Sequence, residues 1–156
     1  MTTWATLVEI MHDGKLLLKR STRGVSKSKW NGVGGKIDEG ETPEENAIRE
    51  TLEESGLTVT NLFYHGVMNF HNYGKEEVDF AVHLFSTKDF SGKLLKESDD
   101  NGELKWFPLD NLPMNDMWKD DEHWLPHMLA KEKFDADFYM DEGNKNIIKH
   151  EIRVKS

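Results

Sequence analysis

The stretch GKIDEGETPEENAIRETLEESGL, residues 35–57, carries the clearest structural signals in the chain. Within it, Thr42 suits the N-cap of a helix, Pro43 suits the first helical position, and Glu45 completes a capping box. Gly56 suits the stop, because glycine readily adopts the left-handed conformation that ends many helices. The pattern predicts a helix over residues 43–55.

Three glutamates, Glu50, Glu53 and Glu54, fall within one turn of this helix. At about 100° per residue, Glu54 and Glu53 lie roughly 40° and 60° to either side of Glu50. The opposite side of the helix is predicted to pack on a sheet, and it is formed by Ile48, Thr51, Leu52 and Ser55.

Carboxylates this close repel one another, and a hard divalent cation with oxygen ligands removes that cost. Mg²⁺ is the usual intracellular choice, with Mn²⁺ as a substitute. An exposed acidic helix without a metal would show the same Glu-Xaa-Xaa-Glu-Glu spacing. The residues around the three glutamates therefore have to distinguish a metal site from such a helix. Arg49 can hold a carboxylate or a phosphate oxygen, Glu41 can accept backbone N–H groups, and Gly34 and Gly35 let bare backbone approach a metal or phosphate.

The spacing Gly35, Glu41, Arg49-Glu50-Thr51-Leu52-Glu53-Glu54-Ser55-Gly56-Leu57 resembles the complete Nudix box, in which Thr51 replaces a usual aliphatic residue. The resemblance implies an α+β fold, an α/β/α sandwich with a mixed central β-sheet and a loop–helix–loop catalytic motif. It also implies that Gly34, through its carbonyl, binds one to three Mg²⁺ with Glu50, Glu53 and Glu54. Any of the three glutamates could serve as the general base, with Arg49 assisting.

The remaining pattern fits one domain over residues 1–156, without a repeat or linker. Asp13-Gly14 is a hairpin signal, and residues 21–31 read as a polar loop. The predicted strands cover residues 4–11, 15–19, 59–70 and 77–86, a short strand ending at 106–108, and a final hairpin of 134–140 with 147–154. A turn or short helix is expected at 109–113 and a second main helix at 121–132.

Composition narrows the class of partner. The net charge is −9, so polymeric nucleic acid is not expected as a ligand. The chain has no cysteine, a mean hydropathy of −0.70, no secretory signal pattern and no apolar stretch long enough for a membrane span. These features favour a cytoplasmic protein with a small-molecule ligand and no membrane partner.

Segments before and after the Nudix box indicate a more specific family within the Nudix group. Residues 29–36, 97–99, 106–110 and 116–124 are similar to those of oxidised-purine nucleoside triphosphatases, the MutT-homologue 8-oxo-dGTPases. The resemblance implies that Asn31, Asp120 and Asp121 bind the base edge and that Trp118 stacks on its face. An alternative interpretation is a loop with a core tryptophan, in which Asp121 is the N-cap of the next helix.

Other positions follow from the same resemblance. A further metal carboxylate is assigned first to Asp100 and second to Glu103. Where the animal enzymes have a pocket lysine this chain has Ser21, and Lys19, Arg20 or Arg23 could replace that charge. Val25 matches a pocket position that loop packing would explain equally well. The predicted substrate-binding residues are Thr6, Arg23, Asn31, Gly34, Gly35, Lys36, Phe70, Trp118, Asp120 and Asp121.

The expected function is Mg²⁺-dependent hydrolysis of an oxidised purine (deoxy)nucleoside triphosphate, such as 8-oxo-dGTP, to the monophosphate and pyrophosphate. This activity sanitises the nucleotide pool and belongs to DNA repair. Two alternatives stay open: a hydrolase of another nucleoside diphosphate derivative (ADP-ribose, a dinucleoside polyphosphate or an RNA cap), and a nucleotide-sensing module without catalysis. The animal enzymes imply a monomer, while bacterial relatives leave a dimer open.

Overall fold

The computed structural model describes residues 1–22, 29–97 and 102–155. Alternating apolar residues build the strands, and Asp13 and Gly14 turn the first hairpin with φ angles of 51° and 72°. The strands are β1 (Thr3–His12), β2 (Lys15–Arg20), β3 (Trp30–Asn31), β4 (Leu57–Thr60), β5 (Phe63–His71), β6 (Phe80–Thr87), β7 (Asp89–Gly92), β8 (Glu103–Pro108), β9 (Lys133–Met140) and β10 (Ile147–Lys155). The helices are α1 (Pro43–Ser55), a 3₁₀ turn (Met114–Asp116) and α2 (Asp121–Leu129).

One mixed sheet dominates the described part of the chain. Its strands run in the order β10-β9-β5-β6-β1-β2-β3, and β8 also pairs with β2. The β1–β6 and β5–β9 pairs are parallel and the other pairs are antiparallel. Strands β4 and β7 form a separate antiparallel pair. The predicted mixed sheet and final hairpin are therefore confirmed.

The two helices cover opposite faces of the sheet. Strand β1 directs Val8 and Ile10 into a core on the α1 side, which also contains Ala47 of that helix. The neighbouring residues Leu7 and Met11 pack into a second core on the α2 side. Burial of both faces of β1 explains its nearly continuous apolar run. The layers form the predicted α/β/α sandwich.

Helix α1 has the predicted bounds but a different orientation. Thr42 accepts a bond from the Glu45 amide, and the Glu45 side chain accepts one from the Thr42 amide. Leu52 is 48% exposed, so its prediction as a packing residue is wrong, whereas Glu54 is only 8% exposed. Small residues face the sheet instead, and the helix is rotated so that a carboxylate enters the interior. The buried residues of α1 are Asn46, Ala47, Thr51, Glu54 and Ser55.

Several predicted boundaries need correction. The strand predicted over 59–70 is two strands, because Asn61 has a φ of 51° and turns the chain between β4 and β5. The turn predicted at 109–113 is present at residues 109–110, and a 3₁₀ turn that was not predicted follows at Met114–Asp116. Helix α2 ends at Leu129 rather than residue 132, although it accommodates Pro126. Among the described residues, no helix has the length and apolar character needed to cross a membrane.

The capping box makes a prediction for stability. Replacing Thr42 by Ala should lower the free energy of unfolding by about 1 kcal/mol, because the Glu45 amide at the helix start loses its acceptor. Urea denaturation would measure this change. Glu45→Gln is the matched control, since glutamine can keep the reciprocal bond and should cost clearly less. Equal losses for the two variants would contradict this account of the helix start.

Candidate active site

Arg49 organises the start of the acidic surface. Its Nε donates to Glu41 Oε2 at 2.6 Å and its Nη2 to Glu41 Oε1 at 3.1 Å, a two-point contact with one carboxylate. Its Nη1 lies 3.1 Å from Glu53 Oε2 and 3.3 Å from Glu50 Oε1, and Asp38 also contacts the guanidinium. The expectation that Arg49 holds a carboxylate is confirmed, and four acidic side chains share this one cation.

Glu41 joins the loop to the helix. The Arg49 hydrogen bonds first, then those from Asn46 and the Asp38 amide, lower the pKa of Glu41 to about 2. The bond from the Asp38 N–H at 3.0 Å confirms that Glu41 anchors the loop backbone. The carboxylate therefore stays ionised at any physiological pH.

Asn46 connects this network to β1, a role that was not predicted. The residue is fully buried in α1, and its side-chain oxygen accepts a 2.5 Å bond from Thr6 Oγ1. Its Nδ2 donates to the Lys36 carbonyl and to Glu41 Oε1, at 2.8 and 2.9 Å. The three partners of Asn46 belong to β1 and to the segment between the glycine loop and α1. The only signal in the sequence would have been a polar residue at a position that faces the sheet.

The loop backbone approaches the helical carboxylates closely. The Gly34 amide donates to Glu54 Oε1 at 2.8 Å. A Cβ at Gly35 would lie 2.6 Å from Glu50 Cδ, and one at Gly34 would collide with the Thr6 carbonyl. Gly34 also has a φ of 154°, which side chains rarely allow. Both glycines are therefore required for contact between bare backbone and the acidic turn.

Glu54 is neutralised inside the protein by Lys19. The Lys19 ammonium lies 2.6 Å from Glu54 Oε2, and their side chains are 9% and 11% exposed. A buried carboxylate needs such a partner, because desolvation would otherwise disfavour its charge. Lys19 was predicted only as a replacement for a pocket cation. The structure instead places it against the third glutamate of the predicted metal set.

The donor chemistry of this turn fits a hard divalent cation, since carboxylate and carbonyl oxygens surround the glycine loop. Among the residues that the structure describes, no three His, Asp or Glu side chains are grouped closely enough to hold an ion as they stand. In this arrangement Glu53 contacts Arg49 and Glu54 contacts Lys19. The assignment of Gly34, Glu50, Glu53 and Glu54 as metal ligands stays a prediction.

Of the two candidates for a further metal carboxylate, Asp100 and Glu103, the structure describes only Glu103. Asp100 lies outside the described residues, as do Arg23 and Val25. Glu103 lies on β8, where it forms an ion pair with Arg20. The Arg20 guanidinium also sits 4.7 Å from the centre of the Trp30 ring.

A cavity of about 450 Å³ opens beside the glycine loop. Predicted residues from distant parts of the chain meet in its wall: Thr6, Asn31, Gly34, Gly35, Lys36, Phe70, Trp118, Asp120 and Asp121. Others were not predicted, because they are apolar strand residues or belong to the final hairpin: Met68, Phe80, Val82, Met140 and Asn144. Flat aromatic and apolar walls with a few polar groups suit a planar heterocycle.

An acidic pair lies at one side of this cavity. Burial raises the pKa of Asp120, and burial together with the charges of Asp120 and Glu9 raises the pKa of Asp121 well above its usual value. Asp120 Oδ2 accepts a 2.8 Å bond from Trp124 Nε1. The N-cap position of α2 is Asp120, without a side-chain capping bond, so the reading of Asp121 as N-cap is wrong. The pair is thus able to offer both a donor and an acceptor to a ligand.

Comparison with known proteins places this geometry in context. Residues 1–128 match the family described as the NUDIX domain. The chain is 39% identical over 147 residues to a zebrafish (Danio rerio) protein named "Oxidized purine nucleoside triphosphate hydrolase", covering 94% of this chain and 92% of that protein. It is 41% identical over 133 residues to a mouse (Mus musculus) protein of the same name, covering 85% and 83%.

A solved structure agrees with the fold. The crystal structure of the mMutator MutT protein from Bacillus halodurans superposes with a TM-score of 0.85, and it covers 96% of this chain and 97% of the other. Its sequence identity is 22%, so this similarity concerns the architecture alone. The mixed sheet with a helix on each face is therefore the architecture of a solved MutT structure.

The burial of the Glu9 carboxyl group leads to a prediction for how the stability of the fold depends on pH. Burial raises the pKa of Glu9 from 4.5 to about 8, so the folded protein holds a proton that the unfolded chain releases. This group's stabilising contribution is complete below pH 4.5 and is lost as the pH rises towards 8. Urea denaturation at intervals from pH 5 to 8 would measure it. The Glu9→Gln variant should lose less stability than the wild type over this range, and parallel curves would contradict the burial of an unpaired carboxyl group.

Proposed function

Because this chain belongs to the NUDIX family, we propose that it hydrolyses oxidised purine nucleoside triphosphates to the monophosphate and pyrophosphate. The observation that carries the proposal is the position of the cavity, which shares Gly34, Gly35 and Lys36 with the loop beside the acidic helix. A nucleotide whose base enters this cavity would extend its phosphates towards Glu50 and Arg49. Two vertebrate relatives that bear the name of this activity support the choice of substrate.

We propose Mg²⁺ as the metal, with Mn²⁺ as a substitute. Glu50, Glu53, Glu54 and the Gly34 carbonyl would hold it, and when bound it would neutralise phosphate charge and make water a better nucleophile. The chain itself supplies the position of these groups. Arg49 orients Glu53 through two bonds of 3.1 and 3.2 Å, and the Gly34 amide orients Glu54. Which of the three glutamates accepts the proton of water stays open.

The exposed cation Lys36 lies where the cavity meets the loop. Asn46 donates a 2.8 Å hydrogen bond to its carbonyl, so the backbone that carries the Lys36 ammonium group is fixed. A phosphate oxygen is the ligand that such a group favours in a protein of net charge −9. Lys36 therefore supplies local positive charge in a site that otherwise repels anions.

The base would lie in the cavity against Trp118, with Asn31, Asp120 and Asp121 at its edge. The indole offers a large apolar face to a purine ring. Oxidation of a purine at carbon 8 turns a nitrogen acceptor into an N–H donor, which an ionised carboxylate or an amide oxygen accepts. A protonated acid in the same pocket would donate to the other edge of the base. The site would discriminate against an unmodified purine, because binding of that base would leave polar groups of the site without hydrogen-bond partners.

The substrate is a nucleotide of the soluble pool, and a cytoplasmic location would follow from this role. A monomer suffices for the proposed site, because each predicted residue within the described ranges comes from one chain.

A turnover panel tests the proposal. With Mg²⁺, 8-oxo-dGTP and 2-hydroxy-dATP should be hydrolysed with a kcat/KM at least about tenfold above dGTP and dATP, because a buried polar group left unpaired costs more than 1 kcal/mol. Chromatography should identify the monophosphate and pyrophosphate as products. Faster hydrolysis of ADP-ribose, a dinucleoside polyphosphate or a capped RNA end would contradict the oxidised-purine substrate.

Replacement of Glu53 by Gln tests catalysis itself. Turnover of the preferred substrate should fall by about two to three orders of magnitude, because a charged metal ligand or base becomes neutral. Glu44→Gln is the matched control, since Glu44 is an exposed glutamate in the first turn of the same helix. Undiminished nucleotide binding, with only trace activity in the wild type that Glu53→Gln leaves unchanged, would favour the sensing module.

A further inference from the structure

Glu9 lies in the middle of β1 and is only 2% exposed. Its neighbours Leu7 and Met11 pack on the α2 side of the sheet, so the alternation of the strand directs the Glu9 side chain to the same side. A Cβ at Gly32 would lie 2.6 Å from Glu9 Oε1. Gly32 lines the cavity, so a single backbone segment without a side chain separates this carboxyl group from the cavity.

Glu9 also interacts electrostatically with the acidic pair. The charge of Glu9, like that of Asp120, raises the pKa of Asp121 at the start of α2. Three carboxyl groups therefore lie at this side of the cavity, Asp120 and Asp121 in its wall and Glu9 behind Gly32. When carboxyl groups interact electrostatically, the ionisation of one disfavours the ionisation of the others. The cluster therefore carries fewer negative charges than it has carboxyl groups.

One oxygen of the Glu9 carboxyl group lacks the partner that a structural role would need. Its Oε2 is buried and has no hydrogen-bond partner in the described part of the chain. An unpaired buried polar atom costs stability, and an apolar residue of similar size would fill the same space without that cost. The core around it is apolar and includes Leu18, Trp30 and Met117. Packing alone therefore does not account for an acid at this position.

The elements that pack on this side of the sheet also carry polar and charged side chains. Strand β6 contributes the uncharged side chain of Ser86, which hydrogen bonds to His65 of β5. The other ring nitrogen of His65 contacts the Glu132 carbonyl. The cation from β2 is Arg20, which pairs with Glu103 of β8. Further ionisable residues on this side, among those that the structure describes, include His65, Asp120, Asp121 and His123. The charge of Glu9 raises the pKa of Asp121.

We propose that Glu9 is a positioning residue for base recognition, which fixes the donor and acceptor that Asp120 and Asp121 present to the ligand. This inference rests on the proposed function, because the base is the purine of that substrate. A carboxyl group behind Asp121 keeps the proton on Asp121 over a wider range of pH. Asp121 then donates to the base while Asp120, which accepts from Trp124, is the acceptor.

The inference predicts a shift in the pH dependence of KM. In the variants Glu9→Leu and Glu9→Gln, Asp121 loses the effect of the Glu9 charge, so its proton leaves at a lower pH. The rise in KM for 8-oxo-dGTP at alkaline pH should begin about one pH unit lower than in the wild type. The kcat at saturating substrate should change little, because neither the acidic turn nor the glycine loop is altered. The preference over dGTP should narrow at the same pH.

Two further measurements separate this role from a structural one. Thr51→Val is a matched control, since Thr51 Oγ1 is also a buried atom without a hydrogen-bond partner in the described chain. It should change stability without moving the KM profile. Carbon-13 NMR titration of the Asp121 carboxyl group, without substrate, should show a lower midpoint in Glu9→Gln.

The outcomes are distinct. A wild type that prefers 8-oxo-dGTP, together with an identical KM profile and Asp121 midpoint in the Glu9 variants, would overturn the role of Glu9 alone. A wild type without that preference would overturn the proposed function, and the role of Glu9 in base recognition with it.

Discussion

The rest of the site depends on the close approach of bare backbone to the acidic turn of α1. Gly34 donates its amide to Glu54, and Gly35 leaves no room for a Cβ against Glu50. This approach requires the loop to be fixed on its other side, which Glu41 and Asn46 achieve by bonding both the loop and the helix. The same loop forms the wall of the cavity, so the groups proposed for phosphate chemistry and for base recognition share one rigid segment.

Charge balance explains much of the detail around this segment. The acidic turn is divided between two cations, Arg49 at the surface and Lys19 in the interior. At the cavity, burial raises the pKa values of Glu9 and Asp121, and no ion pair joins either acid to a cation within the described ranges. One protein therefore holds two acidic clusters in different surroundings. The first is paired with cations, and in the second the exclusion of water favours the protonated form.

The sequence predicted the fold well where local signals were strong. Thr42, Glu45 and Gly56 marked the ends of α1 because caps follow local chemistry. The rotation of α1 was not predictable from periodicity, since Leu52 is apolar yet exposed and Glu54 is charged yet buried. The burial of Glu54 depends on Lys19, which belongs to strand β2. The pocket residues could be predicted from the family resemblance, whereas the positions of Glu9 and Asn46 became clear only from the packing of the structure.

The most direct test of the central claim is a crystal structure of the Glu53→Gln variant with 8-oxo-dGTP and Mg²⁺. The account predicts the base in the cavity against Trp118, with its edge at Asn31, Asp120 and Asp121. The triphosphate should cross the Gly34–Gly35 backbone, with metal bound at Glu50 and Glu54. A base outside this cavity, or phosphates bound away from α1, would contradict the claim that the two halves form one site.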